Sequence, residues 1–277
     1  PCKGDGWEYI KNDPTNGDML LLTGSSQTGV LYDFSTIGDG SAVECNVFVG
    51  MPTAITGGEF NGKVINNSGI LGGTFNGPVE NRTPGRIKDG TFNGAVENNG
   101  RIENGTFNDS VENNGMIENG AFHKAVENDG IINDGAFNDK VENRAPGTIN
   151  DGTFHKPVEN DGTIEKGTFH DEVKNNNTIK DGAFNGKVEN DGTIEKGTFH
   201  DEVKNNKTIN DGAFNGKVEN NNAINNGTFH DEVENNGTIE KGTFNDAVKN
   251  NNTINDGTFN GKVENNGTIE KGTFNGA

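Results

Sequence analysis

The side chains best suited to metal or proton-transfer chemistry in this sequence are its histidines. All five directly follow a phenylalanine: His123, His155, His170, His200 and His230. Imidazole is the commonest metal ligand in proteins and also transfers protons near neutral pH. His155 and His170 are 15 residues apart in equivalent positions, with Glu172 close by, so the pair is a candidate metal bridge. Most equivalent positions carry asparagine, however, so no closed ligand set is evident and we expect no bound metal.

Other residue patterns that support catalysis do not occur. The chain has 42 acidic and 23 basic residues and a formal net charge of -19, but nothing separates one carboxyl group from another as an acid–base pair requires. No Ser-His-Asp arrangement is evident, and the glycines do not form a nucleotide-binding loop. The Gly-Gly-x-Gly-x-Asp motif of calcium-binding β-rolls does not occur either. We therefore expect no enzymatic activity and no cofactor.

The chemically interesting residues are positioned by a 15-residue repeat. Valine followed two residues later by Asn recurs from Val64 to Val263, with steps of 15 residues and two steps of 17; the residue between them is Glu or Lys except at Ile65. A phenylalanine precedes each valine by four residues, and an isoleucine typically follows by six. This spacing matches neither an amphipathic helix nor one long alternating strand. A fixed period of this kind predicts stacked units that share one core.

Each repeat is predicted to form three short strands separated by three corners. Phe, Val and Ile are good strand formers, and the polar residues beside them point outward by the period of two. Gly, Asn and Asp between them form tight corners. The sequence therefore predicts an all-β triangular solenoid of about 14 coils over residues 58–277. At about 4.8 Å per coil it would extend roughly 70 Å.

Equivalent residues are expected to stack into ladders. The core ladders include Phe107, Phe122 and Phe137, Val111, Val126 and Val141, and Ile102, Ile117 and Ile132. The asparagine two residues after each valine never changes, as at Asn98, Asn113, Asn128 and Asn143. Because a side-chain amide both donates and accepts, these residues predict a structural asparagine ladder between coils. A ligand-binding row is the alternative.

Charged residues beside the valines alternate in sign along the C-terminal half. Lys187 and Glu189 are followed one repeat later by Glu202 and Lys204. Opposite charges on neighbouring strands are favourable and like charges unfavourable. The alternation thus predicts an in-register stack that resists a slip by one coil.

From residue 58 onward the chain resembles tandem-repeat β-solenoids with 15-residue coils. Insect ice-binding proteins of the triangular β-helix type have coils of similar length, and their ice face is an array of Thr-x-Thr. The nearest counterpart here is Thr-Phe-Asn, as at Thr106–Asn108, and no coil carries Thr-x-Thr on that strand. The resemblance therefore implies an architecture, with ice binding as an alternative function.

Residues 1–57 depart from the repeat and are expected to form a β-rich N-terminal cap or assembly segment. They contain Cys2 and Cys45, a disulfide candidate, with two unrelated thiols as the alternative. A disulfide is typical of exported proteins, and a chain that begins at Pro1 fits either a cleaved leader or a trimmed sequence. We therefore expect an extracellular or cell-surface location. Two Pro-bearing insertions, 82–85 and 144–147, are either tolerated loops or lateral contacts.

The repeat ends with Thr273, Phe274 and Asn275, which are expected to form an exposed assembly edge. The leading hypothesis is a structural subunit that joins copies of itself head to tail into an extracellular fibre or surface layer. The alternatives are a protein that binds ice or another flat lattice through its Thr/Asn face, and an adhesin stalk. The acidic excess disfavours nucleic acid, and no apolar segment is long enough for a membrane helix.

Overall fold

The computed structural model describes the backbone of residues 8–13 and 17–22, and residues 46–50 and 54–276 in full. It divides into an N-terminal unit, residues 1–139, and a C-terminal unit, residues 140–277. Both units are parallel β-solenoids with 15-residue coils, and the described residues contain no helix. Cys2 and Cys45, and with them the expected disulfide, lie outside the described residues.

In the N-terminal unit each coil contributes three short strands. The valine strands are Asn46–Val49, Val64–Asn66, Val79–Asn81, Val96–Asn98, Val111–Asn113 and Val126–Asn128. The isoleucine strands are Ala54–Ile55, Gly69–Ile70, Arg86–Ile87, Arg101–Ile102, Met116–Ile117 and Ile131–Ile132. The phenylalanine strands are Glu59–Phe60, Thr74–Phe75, Thr91–Phe92, Thr106–Phe107, Ala121–Phe122 and Ala136–Phe137.

The C-terminal unit repeats this order, with one difference. Its valine strands are Val141–Asn143, Val158–Asn160, Val173–Asn175, Val188–Asn190, Val203–Asn205, Val218–Asn220, Val233–Asn235, Val248–Asn250 and Val263–Asn265. Separate isoleucine and phenylalanine strands are Thr148–Ile149, Thr153–Phe154, Thr163–Ile164, Thr168–Phe169, Thr178–Ile179, Ala183–Phe184, Ala223–Ile224 and Gly227–Phe229. Five further strands join both segments: Thr193–Phe199, Thr208–Phe214, Thr238–Phe244, Thr253–Phe259 and Thr268–Phe274.

In the joined strands, pairing with the neighbouring coil resumes within the corner between isoleucine and phenylalanine. Lys196 lies opposite Asp211 there, and Gly197 lies opposite Gly212. Opposite charges at the corner are favourable neighbours. The expected three-strand coil therefore describes most of the described repeats, whereas these five have one short and one seven-residue strand.

Neighbouring coils pair in parallel and in register, so each residue type lies on its own kind. Val96 pairs with Val111, for example, and Phe92 with Phe107. The register crosses the first insertion unchanged, since Val79 still pairs with Val96. The core consists of these phenylalanine, valine and isoleucine columns, which are almost completely buried as far as Phe259. A chain with so little apolar surface can fold because each coil buries its three apolar side chains against the next.

Glycine before each phenylalanine allows the aromatic column to lie close to the backbone. A Cβ atom on Gly197 would lie 2.7 Å from the Cζ atom of Phe199 and 2.9 Å from the Phe184 ring. Gly73 has in addition a φ of 130°, which side-chain-bearing residues rarely adopt. In most coils glycine is therefore required at this position by close packing against the phenylalanine rings, and in a few coils also by a positive φ.

An antiparallel hairpin precedes the first coil. Its strands β1, Glu8–Asp13, and β2, Gly17–Leu22, pair with each other. Strand β2 then pairs in parallel with β3, Asn46–Val49, which pairs in coil register with Val64–Asn66. The coil register thus begins at Val47, inside the segment 1–57 that departs from the repeat in sequence.

Removal of one ladder ring is expected to destabilise the C-terminal unit. Phe184 stacks between Phe169 and Phe199, with ring centroids 4.9 and 4.8 Å away. Phe184→Ala should lower the free energy of unfolding by about 3–5 kcal/mol, because the cavity is closed in by rigid neighbours. Urea denaturation followed by circular dichroism measures the loss.

Thr198→Ala is the matched control for this experiment. Thr198 is exposed and lies between Ala183 and Ala213 on the adjacent coils, so alanine is already tolerated in its column. Its effect should stay within about 0.5 kcal/mol. Equal losses in the two variants would contradict a core built on the phenylalanine stack.

Candidate functional site

A buried asparagine ladder connects the coils within each unit. In the C-terminal unit, Asn160 donates from Nδ2 to Oδ1 of Asn175 at 2.8 Å, and Asn175 donates likewise to Asn190. In the N-terminal unit, Asn98 donates to Asn113 and Asn113 to Asn128, each at 2.7 Å. These side chains have no exposed surface. The asparagine ladder is therefore confirmed, and Asn98, Asn113, Asn128 and Asn143 are all members.

The amides of this ladder use both of their hydrogens. Besides Asn190, Asn175 Nδ2 donates to the carbonyl oxygens of Asn177 at 3.1 Å and Thr193 at 3.2 Å. Because each buried amide is fully hydrogen-bonded, it leaves no polar atom unsatisfied, and aligned amides polarise one another. The ladder thus forms hydrogen bonds inside an otherwise apolar core. In the middle of a unit its amides have no groups left to bind a ligand, which argues against the alternative of a ligand-binding row.

The core residues singled out in the sequence lie in adjoining columns within each unit. Phe107 stacks on Phe122 and Phe122 on Phe137, each with ring centroids 4.9 Å apart. Val111 pairs with Val126 and Ile102 with Ile117. All of these side chains are buried, as are Ile132 in the N-terminal unit and Val141 in the C-terminal unit.

A second, exposed ladder follows the phenylalanines and was not anticipated from the sequence. In the N-terminal unit, Asn76 donates to Asn61, Asn93 to Asn76, and Asn108 to Asn93, each at 2.7 Å. We call the column of residues after the ladder phenylalanines the outer ladder. A sequence signal existed, because every member of this column from Asn61 to Asn275 is asparagine or histidine.

The histidines belong to the outer ladder. His123, His200 and His230 each have Nδ1 3.1–3.2 Å from the Nδ2 atom of an asparagine on the next coil. His170 has the same contact with Asn185 at 3.3 Å. Imidazole nitrogen can therefore replace an amide oxygen as the acceptor, which accounts for the exchange of histidine and asparagine in this column.

Ion pairs follow the alternating charges of the C-terminal unit. Lys187 lies 2.8 Å from Glu202 and Lys217 lies 2.6 Å from Glu232, each pair joining adjacent coils. Hydrogen bonding to Glu202 raises the pKa of Lys187. The valine strands show the same order, since Lys174 is paired with Glu189 in register. A slip by one coil would instead oppose like charges.

A glutamate beside each insertion contacts two cations. Glu80 lies 2.8 Å from Lys63 and also contacts Arg82. Hydrogen bonds from Arg82 and then from Lys63 lower the pKa of Glu80 despite its burial.

Glu142 repeats this arrangement in the C-terminal unit. It lies 2.6 Å from Lys140 and 3.1 Å from Arg144. The hydrogen bond from Lys140 is the main cause of its lowered pKa, and Arg144 adds to it. Both insertions thus anchor their arginine to the adjacent valine strand.

The coil that ends at Phe274 presents an open edge. Its strands Val263–Asn265 and Thr268–Phe274 pair with the preceding coil, and no other described strand pairs with them. Phe274 stacks on Phe259 at 4.9 Å but remains 57% exposed. A shallow depression is lined by Val263, Asn265, Ile269 and Phe274, the ends of the four buried columns. We call this surface the open coil edge.

No group of three or more His, Cys, Asp or Glu side chains within the described parts of the chain is arranged to hold a metal ion. Among these same residues, no helix has the length and apolar character needed to cross a membrane. Searches against protein-family models, curated proteins and solved structures found no match to the chain. The fold itself places the chain among tandem-repeat parallel β-solenoids.

Asn190→Asp is expected to break the buried ladder. Asn190 donates to Asn205 Oδ1 at 2.8 Å and to the Thr208 carbonyl at 3.0 Å, and a carboxylate can donate to neither. The variant leaves two acceptors without their donor and buries one negative charge, which should lower the free energy of unfolding by about 2–5 kcal/mol. The control is Asn236→Asp in an exposed asparagine column, where Asp191 occurs naturally. If the control loses as much stability, the ladder is not the cause.

Glu142→Gln is expected to make stability less dependent on pH. Because the pKa of Glu142 is lowered in the fold, its carboxylate stabilises the fold above the carboxyl pKa of the unfolded chain, about 4.3. That contribution disappears as the pH falls through the lower folded-state pKa. The variant should have a Tm lower by at most about 4 °C at neutral pH, and no difference at about pH 2.

Glu112→Gln is the control for this measurement. Glu112 lies in register between Glu97 and Glu127, so its removal relieves repulsion between like charges. Its Tm at neutral pH should be equal to or above that of the wild type. Thermal denaturation at a series of pH values compares the three proteins, and a neutral-pH loss in Glu112→Gln but not in Glu142→Gln would contradict the assignment.

Proposed function

We propose that the protein is a structural subunit that joins copies of itself end to end into an extracellular fibre or surface layer. Inside each unit, the phenylalanine stacks, asparagine ladders and ion pairs are all used in contacts between adjacent coils. This use of side chains favours a mechanical role over a catalytic one. The partner in this proposal is a second copy of the chain, and it needs no cofactor.

The open coil edge is the observation that carries the proposal. It exposes one end of every buried column together with unpaired strand edges, and such surfaces readily accept another strand. Asn265 accepts from Asn250 at 2.8 Å, and its own Nδ2 atom donates to no described residue. Another coil, with phenylalanine, valine, isoleucine and asparagine at the same spacing, matches this surface column by column. Every copy of the chain carries such coils.

The hairpin before the first coil is the proposed receiving surface on the next copy. Strand β1 pairs with β2, and its other edge meets no described strand. A heterologous contact between two different surfaces can repeat without closing, which produces a filament. The proposed export of the protein is supported by the two cysteines in the same N-terminal segment.

Binding of ice or another flat lattice is the second candidate function, and regular threonine columns favour it. Thr238, Thr253 and Thr268 lie in register on successive coils. A parallel column of Thr243, Thr258 and Thr273 lies on the same strands. Elsewhere in the C-terminal unit alanine interrupts these columns, as at Ala213 and Ala223, so the lattice is less regular than the coil stack.

The test compares wild-type protein with Phe274→Lys and Thr243→Lys. Phe274 is the inward residue at the open coil edge, whereas Thr243 lies two coils earlier, paired in register with Thr228 and Thr258. Wild-type protein should form filaments in negative-stain electron microscopy. Phe274→Lys should raise the concentration needed for assembly about tenfold or more, because burial of a phenylalanine contributes about 1.5–3 kcal/mol. Thr243→Lys, which adds the same charge away from the edge, should assemble like the wild type.

The same preparations also separate the two candidate functions. Circular dichroism establishes that each variant retains the fold. Wild-type protein that stays monomeric at high concentration would contradict the fibre proposal, and so would equal assembly by all three proteins. Thermal hysteresis in wild type and Phe274→Lys, without filaments, would instead support the lattice-binding candidate.

A further inference from the structure

One pair in the outer ladder differs from the rest of the column. His155 and His170 are the two histidines of the chain that occupy adjacent coils. Their rings stack with centroids 5.0 Å apart and planes 6° from parallel. Both side chains are exposed. Elsewhere the ladder histidines face asparagine on the next coil, as His200 faces Asn215. His155 therefore stacks on a second imidazole, whereas His170 keeps the asparagine contact of the column through Asn185.

We propose that His155 and His170 form an open binding site for one divalent transition-metal ion, with water completing the coordination. The inference does not depend on assembly of the chain. Imidazole nitrogen suits Zn²⁺, Ni²⁺ and Cu²⁺, whereas Mg²⁺ and Ca²⁺ prefer oxygen ligands. The exposed position leaves room for the water ligands. The site has two protein ligands, which is consistent with the lack of any larger ligand cluster among the described residues.

The two rings lie close enough to converge on one ion after side-chain rotation. Zinc binds imidazole nitrogen at about 2.0–2.1 Å, so in a tetrahedral site two nitrogens lie about 3.4 Å apart and both lone pairs point at the ion. The nearly parallel rings have centroids 5.0 Å apart, so their in-plane lone pairs run side by side and do not yet converge. Metal binding therefore requires both rings to tilt toward each other, by rotations about χ1 and χ2 that are open to exposed side chains.

Asn185 is positioned to support His170 as a ligand. Its Nδ2 atom lies 3.3 Å from Nδ1 of His170. Rotation of the amide by half a turn places Oδ1 there instead, where it accepts a hydrogen bond from a protonated Nδ1. Metal-binding histidines commonly donate their second nitrogen in this way, which leaves Nε2 free for the ion. The coil next to His170 thus already holds a suitable outer-sphere residue.

The charged residues next to the two histidines carry a small acidic excess. Lys156 follows His155, and Asp171 and Glu172 follow His170 in the sequence. Asp171 is engaged locally, because its Oδ1 accepts the backbone amide of Glu172 at 2.8 Å. The two imidazoles are therefore the ligands of the proposal, and the carboxylates are not required.

The protein offers a closely matched set of variants for the test. His155→Asn and His170→Asn each remove one ligand and introduce the residue that the same column carries at Asn185, Asn215 and Asn245. His200→Asn makes the same substitution at an isolated histidine. All three retain Cys2 and Cys45, so any thiol binding is common to the set. Thermal denaturation without metal should show equal stability.

Titration of the full chain with NiCl2 and ZnCl2 by isothermal calorimetry measures the site. Wild type and His200→Asn should bind one ion per chain with equal affinity. His155→Asn and His170→Asn should bind at least about tenfold more weakly, since even loss of an outer-sphere partner typically costs about 10–100-fold. Excess MgCl2 should not compete. Electron paramagnetic resonance with one equivalent of Cu²⁺ should show two coordinating nitrogens in wild type and one in His155→Asn.

The proposal fails if His155→Asn retains wild-type affinity, or if His200→Asn loses as much as His155→Asn. It also fails if the copper spectrum of wild type shows a single nitrogen. Filament formation is not a readout of these measurements, so their result stands apart from that of the proposed function.

Discussion

In-register pairing of one coil with the next is the interaction on which the whole structure depends. A single coil contains three apolar side chains and one buried amide, too few to offset the entropy of ordering 15 residues. When a second coil is added, each of these groups meets its own kind at the spacing of a parallel strand pair. The stacked rings, 4.8–4.9 Å apart in most of the C-terminal unit, show how closely side-chain packing follows that spacing.

The polar character of the chain follows from the same constraint. Each coil has few inward positions, and they carry the same residue types in every coil. Sequence variation is therefore almost confined to outward positions, where charged side chains can favour one register over another. On the valine strands of the C-terminal unit, opposite charges often lie on adjacent coils, as at Lys174 and Glu189. The valine strands of the N-terminal unit place Glu97, Glu112 and Glu127 directly beside one another. Register there depends on the buried columns and on ion pairs beside the isoleucine strands, such as Arg101 with Glu118.

The period of the sequence was sufficient to predict the buried half of the structure, because a residue such as Phe122 or Asn113 can occupy only one position in every coil. Corner geometry was less accessible. The residues between Ile194 and Phe199 identify a corner, but its angle depends on pairing with the neighbouring coils, which extends the strand through it. The outer ladder was missed because exposed asparagine is usual in turns. The signal for it was that asparagine or histidine recurs at this position in every coil, which allows contacts such as that between Asn93 and Asn108.

The asparagine ladder gives each unit a direction. Between successive coils of a unit, Nδ2 of the earlier asparagine donates to Oδ1 of the later one, as Asn175 does to Asn190 and Asn190 to Asn205. Two edges of the same kind would place amide donors against donors, or acceptors against acceptors. An amide column can continue unbroken only when a donating end meets an accepting end. Any fibre built by extending this column is consequently polar, with two chemically different ends.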